Sequence, residues 1–150
     1  MAFSWEPFGR THSDEPEARE TPPEPQPEPA RGGLPNRPAR RLAVLTCMDA
    51  RIDPLRTFGL RVGDAAVLRN AGAQASDDML RSLKLAHEAL GVAAVTVIGH
   101  TDCAAHGRDS ETAAVAAERA AARIRSAVPG LRVDAALLDL ESGSLARIRA

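Results

Sequence analysis

The chain has 150 residues, 19 basic and 20 acidic side chains, and a formal net charge of −1. That length bounds it to one modest domain, and balanced charge with no basic stripe argues against a nucleic-acid surface. Aromatic residues make up only 3% of the chain, so the core must be built from Ala, Val, Leu and Ile; a core of such small side chains is marginal alone, and a partner subunit is expected.

Residues 1–40 read as a disordered Pro/Glu-rich tail. Nine of the eleven prolines fall there, and Pro22-Pro23-Glu24-Pro25-Gln26-Pro27-Glu28-Pro29 favours extended polyproline geometry. The simple reading is a solvated leader. The alternative is an arm that docks through Phe3-Ser4-Trp5-Glu6-Pro7-Phe8. No basic segment followed by an apolar run marks a secretory signal. The longest apolar stretch, Val92 to Gly99, is too short to cross a bilayer. A cytoplasmic chain is therefore expected, with reduced thiols.

Order is expected from near Arg40, so the folded domain is assigned to 41–150. Leu42 to Thr46 is a short apolar run that suits a buried strand. Asp53-Pro54 opens a short helical turn. Ala65 to Arg69, after Gly63-Asp64, reads as a second strand, and Arg69-Asn70-Ala71-Gly72 as a loop near the crevice. Ser76 caps a helix whose first turn carries Asp77 and Asp78. Met79, Leu80, Leu83, Ala86, His87 and Leu90 recur at helical spacing, with Gly91 placed to end the helix. Val92 to Ile98 is apolar throughout and suits a strand covered on both faces. Glu111 to Ala127 reads as an Ala-rich helix stopped by Pro129-Gly130. Val133 to Leu140 and Leu145 to Arg149 flank Glu141-Ser142-Gly143-Ser144 as a hairpin. Strands alternating with helices indicate an α/β fold with a mainly parallel sheet flanked by helices.

Two clusters carry the chemistry. The first is Cys47-Met48-Asp49-Ala50-Arg51 and the second is His100-Thr101-Asp102-Cys103. They contain the chain's only two cysteines, and each begins where an apolar strand ends, the position that opens onto the functional crevice of an α/β sheet. Cys47, Asp49 and Arg51 are spaced by two, so in an extended segment they point one way while Met48 and Ala50 point back. His100 and Cys103 are three apart, which suits a turn folding both onto one ion. Two thiols, an imidazole and a carboxylate form a tetrahedral zinc set, with Cys47, Asp49, His100 and Cys103 as candidate ligands. Either cluster alone is a weak signal, because a lone cysteine at a strand end is usually core. A redox thiol pair is disfavoured, since no Cys-x-x-Cys is present.

The two clusters, with Gly63-Asp64, Arg69-Asn70-Ala71-Gly72 and Ser82-Leu83, resemble the signature of the β-class carbonic anhydrases over Leu42 to Cys103. The form with Met48, Ala50 and His-Thr-Asp-Cys is similar to the short actinobacterial branch. The resemblance implies one Zn²⁺ per chain held by Cys47, His100 and Cys103, with Asp49 and Arg51 as a catalytic dyad. It implies reversible hydration of carbon dioxide to bicarbonate by a zinc-bound hydroxide. Asp49 would either orient the nucleophile or fill the fourth position and close the site, and Arg51 decides between these by pairing with it. The resemblance also implies a homodimer or larger homo-oligomer.

Other residues receive lesser roles. His106 could act as a proton shuttle at the site mouth, an exposed loop histidine being the simpler reading. His87 reads as a packing residue, and His12 carries no hypothesis. Asp102 and Asp64 read as turn or supporting residues. The chain departs from the family where Ala104 and Ala105 stand in place of glycine, where the 104–110 segment is short, and where Phe58 alone represents the aromatic cleft. Those departures keep two alternatives open: hydrolysis of CS₂ or COS by the same zinc set, or a catalytically silent zinc-bearing dimer with a binding or regulatory role.

Overall fold

The computed structural model describes residues 31–149. The expected polyproline tract and the Phe3–Phe8 segment lie outside these residues. Arg31–Gly33 forms a single 3-10 turn, and a compact unit starts at Leu34. The segment just before β1 is tied to the Gly63-Asp64 turn, whose carbonyls accept from the N–H groups of Ala39 at 2.8 Å and Arg40 at 3.0 Å. Arg40 also pairs with the Asp64 carboxylate at 3.2 Å.

Five strands form one sheet in the order β2-β1-β3-β4-β5. They are β1 (Leu42–Cys47), β2 (Ala65–Asn70), β3 (Ala94–His100), β4 (Arg132–Leu138) and β5 (Leu145–Ile148). β1 lies parallel between β2 and β3, β4 runs parallel to β3, and β5 returns antiparallel as the outer arm of a hairpin. The α/β sheet read from the sequence is the sheet observed. Its helices are α1 (Pro54–Thr57), α2 (Asp77–Glu88) and α3 (Ser110–Ala127).

Helix starts follow side-chain chemistry. Asp53 caps α1 through its carboxylate, Ser76 caps α2 through its hydroxyl, and Asp109 caps α3 by accepting from Thr112; each satisfies amides that have no partner inside the helix. α2 ends at Glu88, earlier than Gly91, which takes φ +69° just beyond it.

Alternation along the strands divides the core in two. Ala43, Leu45, Val95 and Val97 meet Leu83 of α2 and Ala117, Ala121 and Ile124 of α3. On the opposite face Val44, Ile98 and Leu138 meet Ile52, Leu60 and both cysteines. Alanines on α3 allow the helix to lie close: a Cβ on Gly99 would stand 3.0 Å from the Ala113 carbonyl oxygen. Both long helices thus press one face, and the cysteine-bearing face is sealed by the short 52–60 segment. Among the described residues no helix is long and apolar enough to cross a membrane.

Candidate metal centre

β1 and β3 are in register as neighbours, with Thr46 opposite Ile98. The buried Thr46 hydroxyl donates to the Ile98 carbonyl at 3.3 Å and ties the two strands just before their carboxyl ends. Cys47 and His100 therefore emerge side by side. Beyond β3 the chain turns at Asp102, whose φ is +53°, and brings Cys103 back to the same point.

The two sulfurs and one imidazole nitrogen lie within 4.8 Å of one another. Cys47 is 5% exposed, while His100 and Cys103 are each 1% exposed. The sulfurs are 3.9 Å apart. Two thiolates bound to one tetrahedral zinc at about 2.3 Å each would be separated by about 3.8 Å. His100 Nδ1 lies 2.8 Å from the Thr101 carbonyl. A carbonyl only accepts, so Nδ1 carries the proton and Nε2 presents its lone pair. That Nε2 is buried and has no hydrogen-bond partner. A buried polar atom without a partner is costly, and a cation between it and the two sulfurs would satisfy it. The donor set fits a metal ion such as zinc.

Burial is the main influence on the Cys103 thiol and pushes its pKa up, the neighbouring Cys47 adding to this. The sulfurs share an apolar cluster with Val44, Ile52, Leu60 and Ile98, with Phe58 packed against it. Backbone N–H groups also reach the sulfurs: Gly72 N–H donates to Cys47 Sγ at 3.3 Å.

Asp49 stands beside the three donors and outside them. Its Oδ2 is 3.9 Å from His100 Nε2. Arg51 grips both oxygens, Nε donating to Oδ1 at 2.9 Å and Nη2 to Oδ2 at 2.7 Å. The Arg51 backbone N–H adds a third bond to Oδ1 at 2.9 Å. The side-chain hydrogen bond from Arg51 is the largest cause holding the Asp49 carboxyl well below the usual carboxylate range. Of the four candidate ligands, the structure brings Cys47, His100 and Cys103 to one point and leaves Asp49 on Arg51.

Local conformation departs from the extended alternation expected over 47–51. β1 ends at Cys47, and Ile52 N–H bonds back to the Asp49 carbonyl at 3.0 Å. This turn, not strand periodicity, puts the carboxylate and guanidinium together. Met48 consequently faces solvent, 64% exposed. Ala104 and Ala105 form a right-handed 3-10 turn with His106, and neither has positive φ. Alanine in place of glycine therefore carries no left-handed strain there. His106 bonds through Nε2 to the Gly72 carbonyl at 3.0 Å, so that nitrogen donates inward to backbone. His87 bonds the Val92 carbonyl through Nδ1 at 2.7 Å, as suits a packing residue. Asp64 accepts from Arg61 N–H in its turn.

Arg69, expected where the second strand gives way to a loop near the crevice, lies within β2, which runs on to Asn70. It donates to the Cys47 carbonyl at 3.0 Å and the Asp49 carbonyl at 2.9 Å, bracing the whole first cluster from the neighbouring strand. One supporting residue escapes a reading of the sequence. Arg108 donates to Asp102 at 2.8 Å from a loop that offers no sequence signal.

A mainly parallel α/β sheet with two thiols and an imidazole converging at its carboxyl edge is the architecture of a metal-binding protein whose candidate site lies at the sheet's crevice. The model of the carbonic anhydrase family matches residues 42–143, and the chain belongs to the β-carbonic anhydrase family. Beta-carbonic anhydrase 1 of Mycobacterium tuberculosis is 42% identical over 73 residues, covering 49% of this chain and 45% of that protein. Carbon disulfide hydrolase of Saccharolobus solfataricus is 45% identical over 71 residues, covering 47% of this chain and 34% of that protein. The matched region thus spans less than half the length of these curated relatives. The crystal structure of a carbonic anhydrase from Streptococcus mutans superposes with a TM-score of 0.71 at 27% identity, covering 77% of this chain and 86% of that one.

Proposed function

We propose that the chain binds one Zn²⁺ through Cys47, His100 and Cys103 and catalyses reversible hydration of carbon dioxide to bicarbonate. The observation that carries this reading is the partnerless Nε2 of His100 aimed at two sulfurs, with an ionised carboxylate alongside. Bound zinc supplies the Lewis acidity that makes water nucleophilic near neutral pH. Arg51 keeps Asp49 ionised and holds it beside the donors, outside their set. Asp49 Oδ2 keeps a lone pair beyond its bond to Arg51, with which it accepts a hydrogen bond from the attacking water and orients it. The apolar side chains around the sulfurs, Phe58 among them, suit a small apolar substrate. A purely structural site has no need of a carboxylate held in reserve, which weighs against the silent-scaffold reading.

A second substrate, CS₂ or COS, is favoured by the likeness to carbon disulfide hydrolases. The same reading has the chain working in the cytoplasm as a homodimer or larger homo-oligomer. Edge strand β2 is only half covered and leaves Val67 39% exposed, which supports an assembly.

Stopped-flow hydration of CO₂ by zinc-loaded protein tests the reaction, with sulfide release from CS₂ measured in parallel. Asp49→Ala and Arg51→Ala are expected to retain zinc and lose most turnover. Wild-type turnover no faster than buffer refutes the hydratase, and unchanged turnover in both variants refutes the dyad.

A further inference from the structure

We propose that Asp102 is a positioning residue that keeps Asp49 away from the metal by anchoring Arg51. The inference rests on the zinc reading above and assigns a task to a side chain that the reaction itself does not use.

The dyad has a mechanical weakness. Asp49 and Arg51 lie two residues apart on one exposed turn, so their mutual bonds are local. A local pair can move as a unit, and it cannot by itself fix where the carboxylate sits relative to donors on another strand. Arg69 secures the backbone of that turn but touches neither side chain of the pair. The hydrogen bonds that tie the Arg51 side chain to the β3 end both go to Asp102. Arg51 Nη1 donates to Asp102 Oδ2 at 2.8 Å, and Nη2 donates to the Asp102 carbonyl at 3.1 Å.

The guanidinium is thus used on two sides. Nε and Nη2 hold Asp49, while Nη1 and the remaining Nη2 proton hold Asp102. Asp102 lies between the two ligands His100 and Cys103, so the dyad is fastened to the segment that supplies two of the three donors. The left-handed backbone at Asp102, φ +53°, turns its carbonyl and its carboxylate towards Arg51 together. Aspartate tolerates that conformation better than most side chains. Arg108 takes the other carboxylate oxygen at 2.8 Å and keeps Asp102 in place.

The consequence concerns Asp49. Its Oδ2 is 3.9 Å from His100 Nε2, so a side-chain rotation suffices to bring it into the donor set as a fourth ligand. While Asp102 retains Arg51, that rotation must break both guanidinium bonds to Asp49, because Arg51 cannot follow it. Without the Asp102 carboxylate, Arg51 keeps only its 3.1 Å bond to the main-chain carbonyl, and Asp49 can draw the loosened guanidinium along as it closes the site.

The test uses the full chain loaded with Co²⁺, with azide titrated against the visible spectrum of the cobalt. Wild-type protein is expected to take azide in the open fourth position. Asp102→Ala is expected to bind azide about tenfold more weakly or worse, the factor one charge-assisted hydrogen bond carries. The double variant D102A/D49A is expected to regain wild-type azide affinity, because the competing carboxylate is gone. A merely structural role for Asp102 would leave the double variant as weak as the single one, and that result overturns the proposal. So does an azide affinity in D102A within about twofold of wild type, too small a change for such a bond. Where Asp102→Ala fails to fold, Asp102→Gly, which adopts the φ of +53° without strain, carries the same comparison, with the same two outcomes. A wild-type chain that takes up no cobalt overturns the zinc reading itself, and this inference falls with it before any variant is compared.

Discussion

Gly72→Ala probes how the backbone supports the first thiol. Gly72 has φ +78°, and a Cβ there would stand 2.6 Å from His106 Nε2 and 3.0 Å from Ala105 Cβ. The left-handed backbone costs an alanine about 1–2 kcal/mol. His106 is the far end of a movable side chain, so it rotates away and surrenders its 3.0 Å bond to the Gly72 carbonyl, a loss of about 0.5–1.5 kcal/mol. The single variant should therefore lose about 2–3 kcal/mol, read from urea unfolding of the metal-free protein. In a His106→Ala background the bond is already gone, and the same substitution should cost only the backbone part, about 1–2 kcal/mol. The two effects are thus less than additive, as expected of residues in direct contact. Zinc affinity should fall alongside, because the Gly72 N–H that supports Cys47 Sγ sits on the strained residue. A cost below about 0.5 kcal/mol, the level of an ordinary surface change, would refute the reasoning. An equal cost in both backgrounds would refute the role given to His106.

Cys47→Ser should abolish zinc uptake. With free zinc at 100-fold over its dissociation constant the wild-type chain gains about 2.7 kcal/mol, and thermal melts with metal analysis should show no gain in the variant. Burial raises the Cys103 thiol, so zinc binding near neutral pH should expel its proton; titration calorimetry in two buffers of different ionisation enthalpy should give different heats. The Asp49 carboxyl is lowered, so it stabilises the fold above the unfolded carboxylate value, near about 4, and loses that contribution as pH falls below it. Asp49→Asn should therefore cost stability from neutral pH down to that range, with the gap narrowing in stronger acid; a gap constant to the acid limit would contradict the pairing with Arg51.

The elements were legible where local chemistry and periodicity act alone. β1 and β3 announce themselves as apolar runs, and Ser76 caps the helix it was expected to cap. Cys47 and His100 were recognisable as strand-end residues. The turn over 48–52 was not, because alternation assumes that an extended backbone continues, and here Ile52 N–H bonds back to Asp49. The anchoring of Ala39 and Arg40 was also hidden, since it depends on the carbonyl groups of Gly63 and Asp64 more than twenty residues away.

What the amino-acid order alone determined is the inventory: two thiols, an imidazole and a carboxylate in two clusters that each begin at the end of an apolar strand, with the signature of one enzyme family around them. What the tertiary structure decided is which of them meet. Strand register puts Cys47 beside His100, a left-handed Asp102 returns Cys103 to the same point, and Arg51 draws Asp49 aside. Those outcomes depend on distances between residues remote in the chain, which packing and hydrogen bonds set and which no local propensity encodes.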